Sequence, residues 1–174
     1  MHHLARLSPV LARRLAIGGV GVAILSHRYL FNGFFGGFFS RKAIYPPENI
    51  STQNRLYPTY ISTSSELHDI LLFREPLILN FTYMSDPRCN KLTQAVYDVL
   101  ANKDQYPLDK PVALASIQSD TEGGRELMLT YGVNKVPSLV ALHKQMPQGR
   151  YLWKGDEVNK AELSAWIKTV AETK

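Results

Sequence analysis

Between Pro76 and Asp86 the chain reads LILNFTYM (Leu77–Met84), a nearly continuous apolar run. A strand that is apolar on successive residues needs cover on both faces. The chain must therefore supply a sheet with a layer on either side. A second run, Pro111–Ile117 (PVALASI), makes the same demand. Around them lie segments with apolar residues at three- and four-residue intervals, the period of a helix. Ser64–Phe73 is one, with Ser64 or Ser65 as cap and Leu67, Ile70, Leu71 and Phe73 inward. Pro87–Asn102 is another, with Leu92, Ala95, Val96, Val99 and Leu100 on its apolar face. Glu122–Tyr131 follows and is stopped by Gly132. Asn159–Glu172 is the last, with Leu163, Trp166, Ile167 and Val170 inward.

Thr59–Ser62 reads as a short first strand. Ser138–His143 and Arg150–Lys154 read as a hairpin whose turn carries Pro147 and Gly149. The order βαβαβαββα describes an α/β fold: a mixed central sheet, parallel crossovers followed by an antiparallel hairpin, with helices on both faces. The folded domain is expected over 58–174. The stretch 43–57, with Pro46-Pro47 and no periodicity, reads as a linker.

The charge is unevenly distributed. Residues 1–47 hold Arg6, Arg13, Arg14, Arg28, Arg41 and Lys42 and no acid; Glu48 is the first. The remainder has 14 Lys and Arg against 15 Asp and Glu, so it is close to neutral. A nucleic-acid partner needs basic residues clustered on the folded surface, and none is expected. The segment 1–42 has the Arg-bearing, acid-free composition of a mitochondrial presequence. The competing reading is a secretory or endomembrane signal with Leu15–Leu25 as its apolar core. No small-x-small cleavage site follows that core, and the sequon Asn80-Phe81-Thr82 sits inside the buried strand.

Two apolar runs, Leu15–Ser26 and Tyr29–Phe39, are each shorter than the ~20 residues that cross a bilayer. Joined over 15–39 they reach that length with Arg28 near the middle, at an insertion cost of roughly 2.5–3.5 kcal/mol. The segment is either a long cleaved presequence or an inner-membrane anchor packed on a partner through its glycines. The expected location is mitochondrial, at the inner membrane or in the matrix.

Several strings resemble the thioredoxin family. LILNFTYMSDPRCNKL is similar to its second strand, active-site loop and helix start. YGVNKVPSLVAL resembles its Tyr-Gly-Val-x-x-Val-Pro-Thr stretch, and Trp153-Lys154-Gly155 its hairpin-ending glycine. The resemblance covers most of 58–174 and implies a thioredoxin-like fold with a cis peptide before Pro137. It also implies an active-site loop in which Cys-Gly-Pro-Cys falls on Asp86-Pro87-Arg88-Cys89. The nucleophilic cysteine is replaced by Asp86, the preceding tryptophan by Ser85, and the buried acid of the second strand by Asn80. A carboxylate cannot carry out thiol exchange, which needs an attacking thiolate.

Other readings of the loop are ordinary. Asp86 suits a helix N-cap and Pro87 the first helical position. Cys89, the chain's one cysteine, excludes an intrachain disulfide. It reads as a buried structural residue, with a redox-sensing or glutathionylated thiol, or a catalytic nucleophile, as alternatives. No Cys/His cluster has metal spacing, and no metal or cofactor is expected. Gly123-Gly124 reads as a turn, with a weaker anion-holding alternative.

With the chemistry removed, the resemblance implies a retained peptide groove. One wall is Lys135, Val136, Pro137 and Ser138; the other is Met84, Ser85, Asp86, Pro87 and Arg88. The expected role is a non-catalytic interaction module with a protein partner, an adaptor, assembly factor or accessory subunit of a mitochondrial membrane complex. The alternative is a monothiol or glutathione-linked oxidoreductase using Cys89.

Overall fold

The computed structural model describes residues 43–72 and 74–173. The segment 1–42 expected to carry the targeting signal, the stretch 15–39 expected as a possible span, and Phe73, expected on the inner face of its helix, lie outside the described residues. Among the described residues no helix is long and apolar enough to cross a membrane.

The element order is β1 (Arg55–Leu56), α1 (Ser64–Leu71), β2 (Leu77–Thr82), α2 (Pro87–Ala101), β3 (Ala113–Gln118), α3 (Glu122–Thr130), β4 (Ser138–His143), β5 (Met146–Tyr151) and α4 (Lys160–Glu172). The strands lie in the order β1-β3-β2-β4-β5. β1, β3 and β2 run parallel, β4 is antiparallel to β2, and β5 is antiparallel to β4.

The two long apolar runs form neighbouring strands inside the sheet, and all six residues of β2 are buried. Successive side chains alternate between two cores. Ile78, Leu139 and Ala141 pack with Leu92, Val96 and Leu100 of α2 and with Leu163 and Ile167 of α4. Leu79, Phe81 and Val140 pack with Leu67 of α1 and Leu127 of α3. The expected layers on both faces are therefore present.

The first strand is displaced from its expected place. Thr59–Ser62 contributes a single bridge, Ile61 to Ile117, and the named strand is Arg55–Leu56, paired with Ala113 and Leu114. Pro58 has no N–H to give a ladder, so pairing stops there and resumes at Ile61. The stretch 43–57 is accordingly not a free linker but a strap bound to the domain. The Ser51 N–H donates to the Ala101 carbonyl at 2.9 Å. The Asn54 side-chain amide donates to the Leu100 carbonyl at 2.8 Å and accepts from the Val112 N–H at 2.9 Å. The Thr52 hydroxyl also donates to Leu100. The last carbonyls of a helix have no partner within it; here the strap supplies one for α2. Nearer its start, the Ile44 carbonyl accepts the Tyr60 hydroxyl at 2.6 Å.

Two local features differ from expectation. The α1 cap is Thr63, in a reciprocal box with Glu66, rather than Ser64 or Ser65. The hairpin turn is Lys144-Gln145, both at positive φ (49° and 68°), as a two-residue turn matched to strand twist requires. Pro147 and Gly149 lie inside β5 instead. An edge strand tolerates a proline, and the register slips between Ala141 and Leu142 to accommodate the extra residue.

Gly123 and Gly124 mark a close approach. A Cβ on Gly124 would stand 1.9 Å from the Gln118 carbonyl oxygen, and one on Gly123 2.3 Å from that of Ser62. They let α3 start tight against β3 and the chain before α1.

Candidate functional site

β2 ends at Thr82, and its Phe81 pairs with Ser138 at the start of β4. This antiparallel register puts the loop after β2 and the loop before β4 at one end of the sheet. The two expected walls are thus brought to the same edge. Cavities of about 600 and about 420 Å³ run along the outer side of α2. Pro87 lines the larger, but neither is lined by Val136 or Pro137.

The first wall is built by a helix start. Ser85 sits at φ 72°, the left-handed region that side-chain-bearing residues seldom occupy. Asp86 then caps α2: its carboxylate accepts the Cys89 N–H at 2.8 Å, and Pro87 takes the first helical position. Met84, Ser85 and Asp86 are half-buried; Pro87 and Arg88 are exposed. The second wall is built by the Val136–Pro137 bond, which is cis. Lys135 is exposed, Val136 half-buried, and Pro137 and Ser138 buried. The Ser138 hydroxyl has no hydrogen-bond partner.

Cys89 is buried, 1% exposed, and its Sγ accepts the Tyr83 N–H at 3.3 Å. Burial pushes its thiol up to about 11, assisted by the Asp86 carboxylate and opposed by hydrogen bonds from Tyr83 and Thr82. A thiolate nucleophile needs the opposite environment.

Asn80 is fully buried. Its amide nitrogen donates to the Thr93 hydroxyl at 2.9 Å and the Ser116 hydroxyl at 3.2 Å, tying the sheet to α2. Its Oδ1 has no partner. An amide here makes hydrogen bonds without taking up a proton at neutral pH. Among the described residues no group of His, Cys, Asp and Glu is placed to hold a metal ion.

One arrangement is not legible in the sequence. Arg88 lies over the Trp153 ring, 5.1 Å from its centroid, and donates to the Gly155 carbonyl at 3.3 Å. Trp153 donates through Nε1 to the Glu157 carbonyl at 2.9 Å. Lys91 pairs with the Glu157 carboxylate at 2.6 Å. The loop between β5 and α4 is thereby fastened to the first turns of α2, closing that side of the site. Residues some 67 positions apart meet here, and only the resemblance at Trp153-Lys154-Gly155 points toward this loop.

No protein-family model matches the chain, and no curated protein matches it in sequence. Solved structures do. A mutant thioredoxin from Halobacterium salinarum is similar with a TM-score of 0.54 at 20% identity, over 71% of this chain and 97% of that one. Thioredoxin O2 from Arabidopsis thaliana, in its oxidized state, is similar with a TM-score of 0.51 at 14% identity, over 71% of this chain and 99% of that one. The chain has a thioredoxin-like fold. A Trypanosoma brucei thioredoxin adds the same likeness at a TM-score of 0.50 and 13% identity, over 71% of this chain and all of that one. At these identities the likeness concerns the fold of the thioredoxin-like domain alone.

Proposed function

We propose that this thioredoxin-like domain is a non-catalytic interaction module. It acts in mitochondria as an adaptor, assembly factor or accessory subunit of an inner-membrane complex. The observation that carries the reading is the start of α2, where Asp86 caps the helix and the single remaining cysteine is buried with its thiol pushed up to about 11. The groove between Met84–Arg88 and Lys135–Ser138 takes an extended segment of the partner by strand addition. Backbone hydrogen bonds supply affinity, and the side chains around it supply selectivity. The acid-free segment 1–42 supplies the address and, if retained over 15–39, an anchor.

Crosslinking in isolated mitochondria, followed by size fractionation and sequencing of the mature N-terminus, tests this. A stable high-mass complex that Val136→Asp disrupts is expected. A monomeric, partner-free matrix protein, or absence from mitochondria, defeats it.

A second reading, a monothiol or glutathione-linked oxidoreductase, draws on Cys89 lying in the first turn of a helix with a backbone N–H on its sulfur. Turnover in an insulin- or glutathione-mixed-disulfide assay, abolished by Cys89→Ser, supports it. The first reading expects no turnover.

A further inference from the structure

We infer that the outer side of α2 is a second binding surface, a trough that takes an extended, uncharged segment of a protein partner. The two cavities there, of about 600 and about 420 Å³, share Gln94 and Asp98 and so form one continuous trough. α2 runs its length. The strap borders both chambers, through Ile44 in the larger and Asn49 and Ser51 in the smaller, and Val158 and Lys160 border the larger. Of the groove residues at the sheet edge, Pro87 alone lines it.

The charges of the lining select against a charged occupant. Two cations and two anions line the trough, and each is paired within it: Lys91 with Glu157 at 2.6 Å, and Lys160 with Asp98 at 2.8 Å. Next to the lining in the chain stand Glu48, Lys103 and Asp104 at one end and Arg88 and Asp156 at the other, so both signs are present at each. A charged segment lying in the trough loses hydration while every opposite charge of the lining is already engaged.

The uncharged polar side chains favour an extended backbone. Asn90, Gln94, Asp98 and Asn102 line the trough at four-residue steps along α2, which places them on one face about 6 Å apart. Alternate residues of an extended chain are spaced about 6.6 Å, so the two periods nearly match. A carboxamide both donates and accepts. The recorded bond of Gln94, to Asp98 at 2.8 Å, uses one of its two amide hydrogens. Asn102 accepts the Asp104 N–H at 2.8 Å through its carbonyl oxygen, which leaves its NH2 facing outward demand. An extended segment presents an N–H and a C=O at every residue, whereas a helix has already spent most of its own. From Asn90 to Asn102 the stripe runs about 18 Å, the length of five or six extended residues at about 3.3 Å each. In the larger chamber Ile44, Ala95 and Val158 add a seat for one apolar side chain.

Phage-displayed random dodecapeptides, selected on immobilised full-length protein, test this with Gln94→Arg as the trough control. Gln94 is exposed, and an unchanged urea midpoint shows that the variant is folded. Peptides that Gln94→Arg weakens and Val136→Asp leaves alone are expected, sharing an apolar residue at one register and no charge. Gln94→Leu should cost them about 3- to 10-fold in affinity, as for one or two neutral hydrogen bonds. Their affinity should change by less than about twofold between about 0.05 and about 0.5 M salt. N-methylation of the peptide backbone, one residue at a time, should weaken binding at alternate residues. Trough-dependent peptides that share a charged residue, or an N-methyl scan without the two-residue period, overturn the inference. So does failure to select any peptide that Gln94→Arg weakens. Self-association of the full chain that Gln94→Arg abolishes overturns it as well, because the occupant is then a second copy.

Discussion

Reactivity of Cys89 separates a binding module from a thiol enzyme most directly. Burial raises its thiol from the ordinary 9.0 to about 11. At a pH of about 7.5 this leaves about one molecule in 3,000 as thiolate, against about one in 30 for the unshifted group. A more basic thiolate is intrinsically more nucleophilic, by about tenfold for such a shift. Ionisation alone therefore slows alkylation about tenfold. Access governs the folded rate, because the side chain is 1% exposed and the reagent must await an opening of the α2 start, in which the thiol regains its ordinary ionisation. An opening that costs about 2.8 kcal/mol slows labelling about a hundredfold. The folded protein should react with iodoacetamide between about tenfold and about a hundredfold more slowly than the same chain in urea, read by mass spectrometry at a pH of about 7.5. Labelling as fast as in the unfolded chain would refute the reasoning and restore Cys89 as a nucleophile.

Three other outcomes are expected. Gly124→Ala forces a methyl to within 1.9 Å of a backbone oxygen; it should destabilise the domain by about 2–3 kcal/mol in urea unfolding, and a neutral result would contradict the close approach. Asn54→Ala leaves the Val112 N–H without its acceptor and removes one donor to Leu100; a loss of about 1–3 kcal/mol is expected by the same measurement. Cys89, Tyr60 and Tyr106 are all raised by burial, to about 11, about 12 and about 12. Their folded values lie above their unfolded ones, so their contribution is complete below a pH of about 9 and lost as the pH climbs through 11 to 12. The urea midpoint should fall between pH about 8 and about 11, and a flat profile would contradict it.

Residues with one dominant physical role are readable from the sequence. Leu77–Thr82 can only be a doubly covered strand, and the helical periods of α2 and α4 follow from their apolar spacing. Asp86-Pro87 announces a cap through its chemistry alone. The misplacements share a cause: they lie where tertiary context overrides local preference. Arg55–Leu56 is too short to show a period, and only the edge of β3 makes it a strand. Lys144 and Gln145 are not residues that signal positive φ, so the sequence points to Pro147 and Gly149 for the turn, and the exposed edge of β5 absorbs both. Within the site, the resemblance marks Asn80, Asp86 and Pro137 by position. The contacts of Asn80 with Thr93 and Ser116, and of Arg88 with Trp153, join residues distant in the chain, and no local pattern encodes them.

The strap determines where the protein can be cut. A fragment starting at residue 58, where the sequence places the domain boundary, would keep the fastened site and the cis proline. It would strip the end of α2 of Ser51, Thr52 and Asn54, leaving the Leu100 and Ala101 carbonyls and the Val112 N–H to find water. It would also release the Tyr60 hydroxyl from Ile44. A fragment that misbehaves for that reason would be mistaken for a domain needing its partner in order to fold. Starting at residue 43 keeps these bonds, so a dependence on a partner can then no longer be traced to the missing strap.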